Sequence, residues 1–219
     1  MTLLEFARGP AMQLGLTLFA FGFAYRLFSL FLMWRTKESS LGRSKQRSAV
    51  GAATREIIRR FWPQSAYKSR TMFALVNGYV LHIGLAIVVF GLMPHIVFIK
   101  DLFGLSWPAL PNNVVYAVGV LTLASMIAAL VRRLSTPVMR VISTADDYFS
   151  WLVTFLPLLT GLLAASHLGA RYETLLALHL LSVALLLAWL PFGKLMHFAW
   201  VFVTRAQTGM QLSHRGAQL

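Results

Sequence analysis

Histidine has the widest chemical scope in this sequence, because cysteine is absent and six histidines are spread over 219 residues. Without cysteine the chain holds no disulfide, no thiolate-ligated iron–sulfur cluster and no covalently attached c-type haem. A metal or cofactor must therefore be held by histidine, methionine, carboxylate or backbone groups. The candidate ligands are His82, His95, His179 and His197, and the two remaining histidines are His167 and His214.

The spacing of the four candidate ligands predicts two pairs. His179 and His197 are 18 residues apart, so on one continuous helix they share a face, with a rise of about 27 Å. His82 and His95 lie on an earlier apolar run with a rise of about 20 Å. Their angular offset of about 220° is poor unless Pro94 distorts the last turn. Matching depth in antiparallel helices pairs His82 with His197. The same matching pairs His95 with His179.

Two cross-helix imidazole pairs inside an antiparallel bundle favour bis-histidine ligation of b-type haem, since helix bundles build cofactor sites from facing side chains. The alternative for each residue is a core histidine that bonds a backbone carbonyl. For His95, at the predicted membrane boundary, solvation or a hydrogen bond to a quinone is a further alternative. Motifs of zinc proteases and P-loop proteins are absent from the sequence. No carboxylate lies inside a predicted span, which disfavours proton-coupled transport.

These residues must be positioned by membrane helices, because 58% of the chain is hydrophobic and only 12% is charged. A soluble domain carries roughly twice that charged share. Several apolar runs also exceed the roughly 18 residues that mark a spanning segment. We therefore predict an all-α integral membrane bundle of five transmembrane helices, forming one domain over residues 1–219. The predicted spans are 12–34, 72–93, 114–131, 148–167 and 174–200, with Pro157 as a kink in the fourth.

The net charge of +13 is first of all an orientation signal in such a bundle. The segment from Arg35 to Arg70 contains ten Lys or Arg residues and only two acidic residues. The positive-inside rule places the basic links and the C-terminus in the cytoplasm and the N-terminus outside. The expected location is a bacterial inner membrane, and nucleic acid is not an expected partner.

Within the first basic link, the segment from Ala52 to Trp62 predicts a short amphipathic helix that ends at Pro63. One interpretation is a helix lying on anionic lipid headgroups. The other is a docking surface for a cytoplasmic partner. The apolar positions are Ile57, Ile58, Phe61 and Trp62, and they alternate with Arg55, Arg59 and Arg60.

Several stretches of the sequence carry a resemblance to a known family. They are His82-Ile83-Gly84-Leu85 followed by Met93-Pro94-His95; Arg132-Arg133-Leu134 with Ser135, Pro137, Arg140 and Ala145-Asp146; and His179 leading to Pro191-Phe192-Gly193-Lys194-Leu195-Met196-His197. Together they resemble the gamma subunit of respiratory nitrate reductase and its relatives. That family of five-helix cytochromes b includes the membrane subunit associated with dissimilatory sulfite reductase. The resemblance covers most of the chain from the second predicted span onward.

The resemblance implies a subunit with two b haems, or one, that exchanges electrons with a membrane quinone. Electrons would pass to a cytoplasmic iron–sulfur subunit and its catalytic partner, so the chain would be an electron-transfer subunit rather than an enzyme acting alone. By position, His82 and His197 match the axial pair of the inner haem, and His179 matches one ligand of the outer haem. The family's fourth ligand falls at Leu92, which cannot ligate iron. The outer haem would then use His95 or His167, or would be missing.

The quinone, either menaquinone or ubiquinone, has two candidate contacts in the sequence. Lys100 is nearest to the position of the family's quinol-site lysine, and His167 is the other candidate. Two rival functions stay open at this point. One is a haem-free membrane anchor or assembly subunit that docks a soluble enzyme. The other is a small transporter, which predicts broken helices or polar residues at mid-membrane.

Overall fold

The computed structural model describes residues 1–32 and 48–217, and within these two ranges the chain forms helices and no strands. Short π and 3-10 turns join some of the helices end to end. The α-helices are α1 (Leu3–Phe6), α2 (Met12–Leu32), α3 (Ala49–Arg59), α4 (Lys68–Gly91), α5 (Met93–Phe103), α6 (Asn112–Ser135), α7 (Pro137–Ile142), α8 (Ala145–Ser166), α9 (Tyr172–Trp189) and α10 (His197–His214).

Five helical segments in the described part of the chain are long and apolar enough to cross a membrane. Their number and order confirm the predicted all-α bundle of five spans, although several of the predicted bounds were wrong. The fourth helix continues through Pro157 without interruption. The five segments are Leu3–Leu30, Ser65–Gly91, Asn112–Ser135, Ala145–Ser166 and Tyr172–Trp189.

The first span begins well before the predicted Met12. Thr2 caps α1 through a reciprocal pair of bonds, in which its hydroxyl accepts from the Glu5 amide and the Glu5 carboxylate accepts from the Thr2 amide. A π turn containing Pro10 then joins α1 to α2. The last two positions predicted for this span, 33 and 34, lie outside the described residues.

The fifth predicted span, 174–200, is wrong at its far boundary. Helix α9 ends at Trp189, and α10 begins only at His197. Pro191 explains the break, because proline lacks the amide hydrogen that a helix needs and its ring clashes with the preceding turn. Gly193 follows in an extended conformation. His179 and His197 therefore lie on different helices, and the predicted five-turn spacing does not apply to them.

The second predicted span, 72–93, corresponds to α4, and its predicted end at Met93 lies two residues too late. Helix α4 ends at Gly91, Leu92 is extended with φ −85° and ψ 128°, and α5 starts at Met93 with Pro94 in its first turn. Proline is favoured at this place in a helix because the first amide groups have no partner inside the helix. His95 is consequently re-aimed relative to His82, which removes the poor angular offset of a continuous helix.

The spanning helices pack in the order α4, α6, α8, α9 and α2. Polar groups join α4 to α6, because the Asn77 amide donates to the Ser125 carbonyl at 3.1 Å and the Ser125 hydroxyl donates back to Asn77 at 3.0 Å. The backbones of α4 and α9 are held apart, and no Cα atom of one lies within 8 Å of the other in the described residues. The bundle thus leaves a space between α4 and α9 that is wider than an ordinary helix contact of 8–10 Å between axes.

Helix α3, which realises the predicted amphipathic segment, packs against α10 in an antiparallel pair. A Cβ added at Gly209 of α10 would lie 2.6 Å from the Ala52 carbonyl and 2.7 Å from the Glu56 Cβ. Glu56 is buried and binds Arg59 at 3.0 Å and Arg60 at 2.6 Å. The packed side of α3 therefore includes Ala52 and Glu56, while Val50 and Ile58 are exposed.

We expect Gly84→Ala to lower the free energy of unfolding by about 1–3 kcal/mol, the usual cost of overpacking. The new Cβ would lie 1.9 Å from Oγ1 of Thr122, which is fully buried. Gly78→Ala, also on α4, is the matched control, because its Cβ meets nothing within 4 Å. Denaturant unfolding in detergent measures both. Adding Thr122→Ala should restore the stability of Gly84→Ala, and a failure to do so would contradict this packing.

The pairing of α3 with α10 should weaken in acid. Hydrogen bonds from Arg59, and then from Arg60, hold the pKa of Glu56 below its ordinary value. The stabilisation is complete above the ordinary carboxyl pKa of about 4.3, and it is lost as pH falls through the lowered pKa. Hydrogen exchange of the α3 amides should therefore accelerate in acid in the wild type. In Glu56→Gln the exchange should be fast already at neutral pH, with little further change in acid.

Candidate functional site

The four candidate ligands meet in two pairs across the space between α4 and α9. The ring centroids of His82 and His197 are 5.9 Å apart with an interplanar angle of 79°. Those of His95 and His179 are 6.1 Å apart with an angle of 18°. The structure thus brings together the same residues that matching by depth had paired, even though each pair is built from different helices than expected.

The spacing within both pairs suits a metal ion between two imidazoles. An imidazole nitrogen lies about 2 Å from a first-row metal ion and about 1 Å from its own ring centroid, which gives about 6 Å between centroids. A direct hydrogen bond of about 2.9 Å between two ring nitrogens would bring the centroids to about 5 Å. The observed separations match the first geometry better than the second.

All four rings use Nδ1 in the same way. The partner carbonyls are those of Gly78 for His82, Val88 for His95, Pro157 for His179 and Lys194 for His197, at 2.7, 2.9, 3.0 and 2.9 Å. A carbonyl only accepts, so Nδ1 of each neutral ring is the donor and Nε2 carries the lone pair. Each pair therefore offers two lone pairs, the state in which histidine binds metals.

One ligand of each pair depends on a broken helix. His95 stands in the first turn of α5 directly after the extended Leu92, and His197 is the first residue of α10 after the break at Pro191. Their partners, His82 and His179, lie within the continuous helices α4 and α9. The breaks turn the chain at the positions where His95 and His197 meet the rings of His179 and His82.

The break between α9 and α10 is held from the side of α2. Arg26 donates from Nε to the Pro191 carbonyl at 3.1 Å and from a terminal nitrogen to the Phe192 carbonyl at 3.4 Å. These carbonyls lie at the break, where the amide one helical turn later is no longer placed to donate to them. Arg26 thereby fixes the turn that precedes His197.

The same break is held from the side of α8. Asp146 accepts from the Lys194 amide at 3.3 Å, and Asp147 pairs with the Lys194 ammonium at 2.5 Å and with Arg133 at 3.2 Å. Because the Lys194 carbonyl accepts from the His197 ring, this charged cluster fixes the ligand through one residue. Sequence reasoning missed Arg26, although a charged residue within an apolar span is itself a signal of function. It quoted Arg133, Asp146 and Lys194 as motif residues without predicting their contacts.

At the break between α4 and α5, several carbonyls have no amide donor within the helix. Residues that follow the break donate hydrogen bonds to these carbonyls. The His95 ring binds the Val88 carbonyl, the Trp107 indole donates to the Phe90 carbonyl at 2.6 Å, and the Leu110 amide donates to the Gly91 carbonyl at 2.9 Å. The segment from Gly104 to Pro111 therefore folds back over the end of α4. His95 takes part in this arrangement both as a side chain and as a backbone partner.

His179 sits against α8 with little freedom. A Cβ at Gly161 would lie 3.1 Å from the His179 ring, and the Thr160 hydroxyl is 3.4 Å from its Nδ1. The absence of a side chain at Gly161 makes the room that the imidazole occupies. This ring is thus positioned by its neighbours rather than by its own rotamer alone.

The histidine pairs do not form an ordinary site for a bare metal ion. Among the described residues, no group of three or more His, Cys, Asp or Glu side chains is arranged to hold one. Structural zinc sites use four protein ligands and catalytic ones three. Two imidazoles without further protein ligands would suit a metal whose other ligands come from a macrocycle.

The remaining candidate residues lie apart from these ring pairs. His167 ends α8 in a left-handed conformation with φ 55°, and its ring lies 5.0 Å from that of Tyr172. Lys100 is exposed in the last turn of α5, and its carbonyl accepts from the Gly104 amide. His214 is the last residue of α10. The ring that the structure places against His179 is that of His95.

A protein of Nitratidesulfovibrio vulgaris (strain Hildenborough), named only as a protein, is 31% identical to this chain over 210 residues. The match covers 94% of this chain and 91% of the relative. The chain belongs to the same family as this protein. No family model and no solved structure matches the chain. The match includes nearly the whole chain, so the five-helix arrangement can be compared over its full length.

We expect Arg26→Met to lower the free energy of unfolding by about 1–3 kcal/mol, because two carbonyls lose a charged donor. Ser29→Ala is the control from the next turn of α2, since its hydroxyl donates only to the Arg26 carbonyl. That variant should stay within about 0.5 kcal/mol of the wild type. Unfolding in detergent gives the energies, and hydrogen exchange at residues 192–194 reports the break directly. Unchanged exchange there in Arg26→Met would refute the assigned role.

Proposed function

We propose that this chain is a cytochrome b membrane subunit of a respiratory oxidoreductase, moving electrons between a membrane quinone and an iron–sulfur partner subunit. The observation that carries the proposal is the presence of two cross-helix imidazole pairs at 5.9 and 6.1 Å. In all four rings Nδ1 is already occupied by a carbonyl, so Nε2 is left for a metal.

The donor set fits b-type haem at both pairs. His82 and His197 would hold one haem, and His95 and His179 would hold the other. Bound haem supplies reversible one-electron chemistry at its iron. The protein's part is to orient the rings, to raise the basicity of Nε2 through the Nδ1 bonds, and to set the burial around the site.

The ligand pairing also bears on the outer haem. The family resemblance puts its fourth ligand at Leu92, which is the extended residue at the break between α4 and α5. The break brings His95, three residues later, to the His179 ring. This geometry supports His95 over His167 as the fourth ligand and a two-haem subunit over a one-haem subunit.

The orientation and partners are part of the same proposal. The end of the bundle that carries Lys68, Arg132 and Arg205, here called the basic end, faces the cytoplasm of a bacterium, following the positive-inside rule. The pair of α3 and α10 lies at this end. With no cysteine in the chain, the iron–sulfur relay must belong to a separate subunit, which passes electrons to or from a catalytic subunit.

The quinone, menaquinone or ubiquinone, would bind at the opposite end. Lys100 on α5 and His167 at the end of α8 are its candidate contacts, and both helices end on that side of the bundle. Lys100 follows His95 by less than two turns of α5, which is near enough for a quinone between them to approach the second haem.

The two rival functions account for less of the structure. A haem-free anchor explains the basic end but gives no reason for two imidazole pairs with identical Nδ1 bonding. A transporter draws support from the two broken helices. Around those breaks, however, the backbone carbonyls already accept hydrogen bonds from side chains or amides of the chain itself, so they are not free to bind a substrate. These carbonyls belong to Val88, Phe90, Gly91, Pro191 and Phe192.

The test is a pyridine haemochrome assay on purified protein, with single and double alanine variants. We expect two b haems per wild-type chain. His82→Ala and His197→Ala should each lose one haem, and the double variant should lose no more than either alone. His95→Ala and His179→Ala should lose the other haem in the same non-additive way. His214→Ala is the matched control and should keep both.

Three results would contradict parts of this proposal. Loss of the second haem in His167→Ala, with His95→Ala unaffected, would reassign the outer ligand. Loss of different haems in His82→Ala and His197→Ala would refute the pairing. No haem in protein made with sufficient haem supply and with its partners would leave the membrane anchor as the function.

A further inference from the structure

A small cavity lies between the end of α3 and the middle of α10, away from the histidine pairs. Its volume is about 220 Å³, and it is lined by Arg60, Thr204, Arg205 and Thr208. Two guanidinium groups and two hydroxyls thus surround one space, and no carboxylate is among the lining residues. Guanidinium groups bind phosphate and carboxylate oxygens, whereas the Thr204 and Thr208 hydroxyls already donate to the Trp200 and Thr204 carbonyls at 2.9 and 2.8 Å.

Both cations of this cavity are held in place before any ligand arrives. Arg60 donates from Nε to Glu56 at 2.6 Å, which leaves its terminal nitrogens for another partner. The Arg205 guanidinium lies 5.6 Å from the centroid of the Phe61 ring, a position stabilised by cation–π attraction. Glu56 also binds Arg59. The region therefore keeps a net positive charge despite its buried acid.

The position of the cavity matches the surface of a membrane. Helix α10 is apolar from Phe198 to Val203, and polar residues predominate from Thr204 onward. The Phe61 carbonyl accepts from the Tyr79 hydroxyl at 2.5 Å, so the end of α3 is tied to the spanning helix α4. Along α10 the side chains change from apolar to polar and cationic at Thr204 and Arg205. Such a change marks the membrane surface, where lipid phosphates lie.

Exposed apolar side chains on the segment that carries Arg60 favour lipid over an acidic protein segment as the ligand. Ile58 is 64% exposed and Trp62 is 72% exposed. Tryptophan at such a boundary is typical of the membrane interface, where its ring meets both the headgroups and the acyl chains. A partner's acidic segment would satisfy the arginines but would leave these two side chains in water.

We propose that this cavity binds the phosphate of an anionic phospholipid headgroup, at the level where Ile58 and Trp62 are exposed to the membrane interface. The site anchors the pair of α3 and α10 to the bilayer at the basic end. It goes beyond the proposed electron-transfer function, and it does not depend on haem, because none of its residues contacts a histidine pair.

The experiment titrates the purified full-length chain in a neutral detergent with four probes. They are dioctanoyl-phosphatidylglycerol, dioctanoyl-phosphatidylcholine, sodium phosphate and a six-residue glutamate peptide. We expect saturable one-to-one binding of phosphatidylglycerol, measured by calorimetry and native mass spectrometry. The double variant R60Q/R205Q should weaken this binding about tenfold or more, as the loss of charged donors predicts.

Matched variants separate a specific site from general charge. K68Q/R140Q removes the same charge from exposed positions outside the cavity and should change the affinity by less than about twofold. R60Q and R205Q are also measured singly, so a partial loss of affinity with unchanged helicity keeps the proposal testable if R60Q/R205Q misfolds.

Four outcomes would overturn the proposal. Equal weakening by K68Q/R140Q would mean that no specific site exists. Equal affinity for phosphatidylcholine would remove the preference for an anionic lipid. Binding of sodium phosphate as tight as that of phosphatidylglycerol would assign the cavity to a free anion. Tighter binding of the glutamate peptide, lost in R60Q/R205Q, would assign it to an acidic protein partner.

Discussion

A backbone carbonyl within an apolar bilayer needs a donor, and helices that break there leave several carbonyls without one. Two of the five candidate spans in the described residues end at such breaks, after Gly91 and after Trp189. At the first break the donors are the His95 ring, the Trp107 indole and the Leu110 amide. At the second they include Arg26, which reaches across from α2. The rest of the candidate site follows from these bonds, because they fix where each new helix starts.

The imidazole rings therefore serve the backbone and the candidate cofactor at once. Nδ1 satisfies a carbonyl, and the same bond decides that Nε2 carries the lone pair. An isolated buried histidine would need only the first of these roles. The repetition of the bond in four rings, arranged as two close pairs, is what a purely structural role does not account for.

Much of this arrangement was predictable from the sequence. Hydropathy gave five spans, and depth gave the correct partners for His82 and His95. The helix carrying His179 was expected to run on to Trp200, because Pro191 was counted as part of an apolar run rather than as a helix breaker. Hydropathy measures transfer into lipid and takes no account of the amide hydrogen that proline lacks. The predicted ring partners were nevertheless correct, since His82 meets His197 and His95 meets His179.

Other features were beyond the reach of single-sequence reasoning. Contact between the Lys194 ammonium and Asp147 joins parts of the chain that no local period connects. The buried side of α3 was also not predictable, since Ala52 and Glu56 are chosen by the small Gly209 on α10 rather than by hydrophobicity. Only the fold reveals which neighbour lacks a side chain.

The two histidine pairs join positions that are far apart along the chain, and each pair bridges elements whose backbones do not touch. A group bound by both members of a pair would act on the unfolded ensemble as a covalent staple does, by closing a long loop. For a loop of about 100 residues the entropic model of a disulfide gives about 4–5 kcal/mol. A chain without a single cysteine would thus gain reversible cross-links from its ligand, and their strength would depend on the supply of that ligand in the cell.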